Sequence, residues 1–330
     1  MLGRRWTAVM LAAIVAGVAA LGAAQTPAQT PAKVFRVGYL TPNAIPSRDD
    51  AFRRELARLG YTEGRNLILE FRSAEGQYDR LPALAAELVA LKLDVIASAV
   101  TQASLAAKKA TSTTPVVMIA ASDPVGFGLV ASFARPGANV TGTTTLSADV
   151  VGKQLDLLRE LRPKASRLGV LWNPANTVYQ KQALGEVQAA AKKLKIGLQI
   201  AEARSPDAFD RAFATIAGQH VDALLVLSDP MFGGYLPQLA ELGVKHRLLT
   251  LSGPRDYAEH GFLMTYGPSF PEAFRLAAVY VDRILKGARP AELPVQQVQK
   301  YELVLNARTA RALAVSLPQS LIARADEVVQ

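Results

Sequence analysis

Small hydrogen-bonding residues recur at one kind of place in this chain, just past short apolar runs and just before helical stretches. They are Thr41 and Asn43, Ser98 and Thr101, Ser122 and Asp123, Asn173 and Asn176, and Ser228 and Asp229. Helix N-termini beside such residues offer unpaired N–H groups and a positive dipole end, which suit a carboxylate. The same residue types are preferred helix caps, so each could equally serve only its own helix. Asp123 before Pro124 could order its own loop, and Ser205 before Pro206 and Asp207 reads as a plain cap. Asp229 is the most pointed of the set. A carboxylate there could pair a ligand ammonium while Thr101 and helix N–H groups hold the other end, which makes an α-amino acid a sensible ligand. The alternative is that Asp229 and Pro230 only start a turn. Thr143 and Tyr266, on segments where the chain is expected to cross between lobes, complete the candidate set. Tyr179, Phe232 and Tyr266 could stack a flat ligand or simply pack in a core. Trp172 closes a strand beside Asn173 and Pro174.

Several chemistries lack their residues. No G-x-G-x-x-G follows the first strand, where the loop runs Thr41-Pro42-Asn43-Ala44-Ile45-Pro46. A phosphate-binding lysine loop, H-E-x-x-H and G-x-S-x-G are all absent. His220, His246 and His260 lack metal-ligand spacing, and there is no Cys for thiolate chemistry or disulfides. The expectation is a binder that leaves its solute unaltered, with no cofactor and no metal.

The elements that must position these residues alternate regularly. Strands are expected at Val34–Leu40, Asn66–Phe71, Asp94–Ala99, Pro115–Ala120 and Asn139–Thr144, with helices at Arg48–Leu59, Leu81–Leu91 and Gln102–Ala110. The pattern then restarts. Strands follow at Arg167–Trp172, Ile196–Ala201, Asp222–Leu227 and Leu248–Leu251, with helices at Val178–Leu194, Asp207–Ala217 and Gly234–Leu242. Two successive β-α-β-α series predict an α/β fold of two Rossmann-like lobes, each a parallel sheet with helices on both faces. Phe262–Tyr266, the helix Pro271–Leu285 and the extended Val295–Leu305 are too few for a third core, so they complete the two lobes. A multi-strand hinge is expected at Thr143–Leu146, Met264–Gly267 and Leu293–Val298. Lobe 1 then comprises 34–143 plus 265–293, and lobe 2 comprises 144–264 plus 294–330.

Residues 1–24 read as a cleaved secretory signal peptide: Arg4 and Arg5, an apolar run from Trp6 to Leu21, then small residues. Residues 25–33 read as a flexible tether. The formal charge of +9 includes Arg4 and Arg5 and no acid from the signal, so +7 remains. Those charges are scattered among acids along helices, unlike a nucleic-acid surface, so no nucleic-acid partner is expected. A freely soluble, monomeric periplasmic protein without a lipid anchor is the expectation.

Three words in the chain carry a resemblance. They are Leu59-Gly60-Tyr61-Thr62-Glu63-Gly64-Arg65-Asn66, then Asp123-Pro124-Val125 with Gly128-Leu129-Val130, then Arg135-Pro136-Gly137-Ala138-Asn139-Val140-Thr141-Gly142. Together they resemble the ABC-transporter substrate-binding proteins of the tryptophan/tyrosine-type group, from Val34 to Val328. Ala138 stands where a second Gly is usual, which stiffens one turn. The resemblance implies lobes of the type I periplasmic-binding-protein kind, closing on a small molecule for a membrane permease. Several such relatives bind aromatic amino acids, and many have no established ligand. A soluble receptor feeding a signalling partner would use the same cleft, with an exported enzyme a distant third.

Overall fold

Short runs rich in Val, Ile and Leu, buried on both faces, form the strands, and helices with one apolar stripe cover them. A computed structural model describes residues 33–145 and 150–330. The expected signal peptide, the tether up to residue 32 and Leu146 of the first expected crossing lie outside the described residues. Among the described residues, no helix is long and apolar enough to cross a membrane.

The first lobe runs β1 (Phe35–Thr41), α1 (Pro46–Arg58), β2 (Leu67–Ser73), α2 (Leu81–Ala90), β3 (Val95–Ala99), α3 (Val100–Ala110), β4 (Val116–Ala121) and β5 (Val140–Thr144). The second takes up α4 (Val150–Leu161), β6 (Arg167–Trp172), α5 (Tyr179–Leu194), β7 (Gly197–Glu202), α6 (Phe209–Gly218) and β8 (Ala223–Val226). It continues through α7 (Pro230–Gly233), α8 (Leu236–Lys245), β9 (Thr250–Ser252), α9 (Arg255–Glu259) and β10 (Met264–Pro268). The chain returns to the first lobe as α10 (Phe270–Leu285) and β11 (Gln296–Gln297). It ends in the second as β12 (Tyr301–Asn306), α11 (Ala307–Ala312), α12 (Gln319–Ile322) and β13 (Glu327–Val329).

The sheets run β2-β1-β3-β4-β5-β11 and β7-β6-β8-β9-β10-β12-β13. Neighbours are parallel except β10 and β12, which pair antiparallel. Each sheet is covered on both faces. In the first, Ala273, Phe274, Ala277 and Val281 of α10 pack on Val95, Ala97, Val117 and Ile119. Leu84, Leu88, Ala103 and Ala107 of α2 and α3 meet the alternate residues Ile96, Val116 and Met118. The second sheet buries Val170 and Leu225 against Leu155 and Val187, and Leu224 and Val226 against Phe209 and Phe213. Gly142 is required in β5: its φ is +132°, and a Cβ there would lie 2.1 Å from the Met118 oxygen.

Four expectations change. The segment 265–268 does not join the first lobe, because β10 is laddered to β9 and β12. Residues 296–297 pair with β5 in the first sheet, so the extended run Val295–Leu305 is two strands in two sheets. Ser205 makes no side-chain cap; a 3-10 turn at Pro206–Ala208 precedes α6. The helix expected at Gly234–Leu242 runs Leu236–Lys245, and a separate short helix, Pro230–Gly233, precedes it, each with a proline in its first turn. The Val298 N–H donates to Thr144 O at 3.0 Å and the Ser269 N–H to Lys300 O at 2.9 Å, which ties the crossing strands together.

Candidate functional site

In an open parallel sheet, ligand sites form beyond the carboxyl ends of the strands. Two strand tips of the first lobe are bent by unusual backbone. Val100 has φ +59° and Ala120 has φ +54°. A left-handed conformation costs an L-residue roughly 1–2 kcal/mol, and for β-branched Val100 it is a genuine outlier. Such strain clusters at binding sites. At Ala120 the β4–β5 register shifts between Met118 and Ala121. The bulge is held by the Ala120 N–H donating to Thr143 Oγ1 at 3.0 Å and by Thr145 Oγ1 donating to Ala120 O at 3.3 Å. Its effect is to bring Ser122 against α3. Thr101 Oγ1 lies 2.9 Å from Ser122 Oγ and accepts the Ser122 N–H at 3.0 Å.

The second lobe presents a carboxylate hub. Asp229 Oδ1 accepts from Asn173 Nδ2 at 3.1 Å and from the Met231 N–H at 3.0 Å. Its Oδ2 accepts from Asn176 Nδ2 at 2.8 Å and from the Tyr78 hydroxyl of the first lobe at 2.9 Å. Burial pushes this carboxyl above its ordinary range, against the pull of those donors. Burial, and then Asp229 itself, push the Tyr78 phenol well up. Gln180 backs the hub, accepting the Asn173 N–H at 3.0 Å and donating to Ser228 O at 2.8 Å. The expected pairing of Asp229 with a ligand ammonium gives way here, because both oxygens are already engaged. Asp229 organises the second half-site, caps α7 and bonds across the lobes.

Further bonds join the lobes. Arg48 of α1 and Asp256 of α9 form a buried bidentate pair, with Nε donating to Oδ2 at 3.0 Å and Nη2 to Oδ1 at 3.1 Å. The Arg48 guanidinium lies 4.1 Å from the centre of the Phe270 ring. Asn43 Nδ2 donates to Pro230 O at 3.1 Å, and Gln102 donates to Asn176. Arg48, Tyr78, Gln102 and Asp256 were not among the sequence candidates. Arg48 did carry a signal: it precedes Phe52 and Leu56 at four-residue spacing and so falls on the buried stripe of α1. Asp256 and Tyr78 gave none, since their partners lie 208 and 151 residues away.

Between these walls lies a narrow cavity of about 40 Å³, lined by Arg48, Val100, Thr101, Gln102, Ser122, Thr145, Asn176, Tyr179, Ser228 and Phe270, among others. No carboxylate is among its described lining residues. A second chamber, also of about 40 Å³, shares Tyr179, Ser228 and Phe270 with it. Its other walls include Val150, Val151, Gln154, Ala183 and Leu225. Both are well below the roughly 300–1,000 Å³ usual for small-molecule sites. An open groove of about 490 Å³ between α1, the start of α10 and β12 is larger. Its charges pair among themselves, Arg58 with Glu55, Arg275 with Glu272 and Arg255 with Glu302, and it lies away from the strand tips.

Of the sequence candidates, Thr101, Ser122, Asn176 and Ser228 line the first chamber. Thr41 and Asn43 line a smaller adjacent seam. Ser98 is fully buried and donates to Ser104 Oγ at 3.0 Å, and Thr143 serves the bulge. Asp123 accepts the Gly126 N–H at 2.9 Å within its own loop. Asn173 belongs to the hub. The Tyr266 ring stacks on Tyr301 at 6.1 Å, and Phe232 is fully buried in the second-lobe core. Trp172 packs on the same core cluster as Tyr179. Among the described residues, no His, Cys, Asp and Glu cluster could hold a metal ion.

This two-lobed architecture is that of the type I periplasmic binding proteins. The profile of the ABC transporter substrate binding protein family matches residues 41–329, and the chain belongs to that family. A tyrosine-binding protein of Clostridioides difficile (strain R20291) is 28% identical over 272 residues, 81% of this chain and 77% of that one. A conserved domain protein from Vibrio cholerae O1 biovar El Tor str. N16961 superposes with a TM-score of 0.82 at 28% identity, over 90% of this chain and 100% of that one. An ABC domain from Streptococcus pneumonia in complex with L-Trp gives 0.79 at 24% identity, with the same coverage. At that identity the likeness concerns the fold.

Proposed function

We propose that this protein is the solute-binding component of an ABC importer, working outside the cytoplasmic membrane and closing its two lobes on an amino acid with an aromatic side chain. The observation that carries this reading is the cavity built jointly from the strand tips of both lobes. Three features fit the ligand class. The N-terminus of α3, with Thr101 and Ser122, suits a carboxylate. Tyr179 and Phe270 stand where the two chambers meet, placed to flank a ring. The chamber beyond them is largely apolar. The tyrosine-binding relative supports the same class, and the signal-like first 24 residues support export.

Binding by closure is supported by bonds between the lobes that a separated pair could not make: Arg48 to Asp256, Tyr78 to Asp229 and Asn43 to Pro230. A ligand must favour the closed state by about 5.5 kcal/mol to turn a 1:99 mixture into 99:1. The permease would then meet a surface that the open form lacks. Titration calorimetry against the common amino acids, with myo-inositol as a control, tests this. An aromatic amino acid is expected to bind with a dissociation constant of about 1 μM or tighter, near −8 kcal/mol. Heat from the polyol and none from any amino acid would overturn the reading.

A further inference from the structure

Among the described residues, Val100 is the only β-branched side chain on a positive φ. Glycine would hold that conformation without steric cost and asparagine with little. A valine there implies that its side chain does something the backbone alone does not. Its place in the cleft shows what that is. Three residues, Arg48, Val100 and Pro230, line both the chamber between the lobes and the smaller seam beside it, so they form the partition between the two. Arg48 is tied to Asp256, and Pro230 O accepts from Asn43. Val100 is held from behind. Ser98 Oγ donates to Ser104 Oγ at 3.0 Å and Ser104 Oγ to Val100 O at 2.8 Å, with both serines fully buried. Val100 also opens α3. The N-cap position is Ala99, which has no side chain to cap the helix, so the leading N–H groups stay open to an anion.

We propose that Val100 is a specificity-determining residue: its isopropyl group closes the carboxylate end of the solute site. A free carboxylate then fits at the start of α3, and one extended by a further group meets the partition. The inference rests on the amino-acid reading above and adds a limit on the solute at its backbone end. Ser98 and Ser104 are positioning residues in this scheme, since they hold the carbonyl of the strained turn. The strain is retained because relieving it with glycine would merge the chamber with the seam.

Calorimetry with L-tyrosine and its methyl ester tests this on the full chain, Val100→Gly and Val100→Asn, with melting curves alongside. The ester lacks the charge in every variant, so the change in the acid-to-ester ratio isolates the added methyl. Glycine relieves the backbone and removes the wall. Asparagine relieves the backbone and keeps a side chain of similar size. Val100→Gly should keep or raise Tm while its preference for the free acid narrows by about tenfold, the low end of what a pocket wall gains against one extra carbon. Val100→Asn should also keep or raise Tm, with the preference within about twofold of the unsubstituted protein. An unchanged ratio in Val100→Gly would overturn the proposal. So would equal narrowing in both variants, which would assign the effect to the backbone, or a lower Tm in both with the ratio kept, which would make Val100 a packing residue only. If the unsubstituted protein does not bind L-tyrosine, the amino-acid reading fails and takes this inference with it.

Discussion

In the first lobe the cleft wall is shaped by backbone. Val100 and Ala120 hold left-handed dihedrals at the tips of β3 and β4, and the hydroxyls of Thr101 and Ser122 lock onto each other. In the second lobe the wall is shaped by side chains, with Asp229 collecting donors from Asn173, Asn176 and Met231. The first half-site is therefore complete within its own lobe. The second is not, because a fourth donor, Tyr78, comes from the other lobe. Under the proposed reading, the first lobe would be preorganised to hold one end of the solute, and the second would be finished only by closure.

The largest test of this division falls on the bond between the lobes. Arg48→Met leaves Asp256 without its partner. Breaking a buried pair costs about 3–5 kcal/mol, here against the closed form, so affinity by calorimetry should fall by more than about 100-fold. A double variant with Asp256→Leu should recover most of that loss, and no recovery would show that Arg48 acts on the ligand instead. Next comes Asp229→Asn, whose amide cannot accept from all four donors. About 1–3 kcal/mol should be lost, seen as weaker binding and a lower Tm together. Tyr78→Phe removes only the donor from the other lobe, so binding should weaken with Tm nearly unchanged. A matching fall in Tm would erase the distinction between hub and latch.

The backbone half makes the opposite kind of prediction. Ala→Gly ordinarily destabilises by about 0.5–1 kcal/mol, but at Ala120 it relieves a positive φ. Ala120→Gly should therefore leave Tm unchanged or raised, and a fall of the ordinary size would mean the bulge carries no strain. The smallest effect lies outside the cleft. The Tyr61 phenol donates to Asp282 at 2.9 Å and is pushed up to about 12 by burial and that carboxylate. Its folded value lies above the ordinary value of about 10, so its contribution is whole below pH ~10 and is lost as pH rises through ~12. Tyr61→Phe should flatten the alkaline fall in Tm over that window and leave binding alone. An unchanged slope would contradict the assignment.

Much of the fold was legible in the residues, and for a physical reason. Strands buried on both faces read as unbroken apolar runs, so β3, β4 and β6 fall within a residue of their expected limits. α4 went unread because Val150, Val151 and Gly152 are poor helix formers at its start, which hid the stripe of Val151, Leu155 and Leu158. At the cleft, chain position showed where small polar residues gather but not which of them face the ligand. Ser98 and Thr101 stand three residues apart, one inside the lobe and one on the cavity wall. For Asp229 the local cap to Met231 was legible in Asp229-Pro230, but the donors Tyr78, Asn173 and Asn176 come from distant parts of the chain and left no pattern. The Arg48–Asp256 pair joins helices of different lobes and leaves no local pattern at Asp256.

Small-angle scattering on the full chain, without solute and then at saturating L-tyrosine, addresses the closing of the lobes most directly. The account predicts a smaller radius of gyration with solute, and no such change in Arg48→Met at the same solute concentration. Identical curves for the unsubstituted protein, at a concentration where calorimetry shows the site filled, would contradict it.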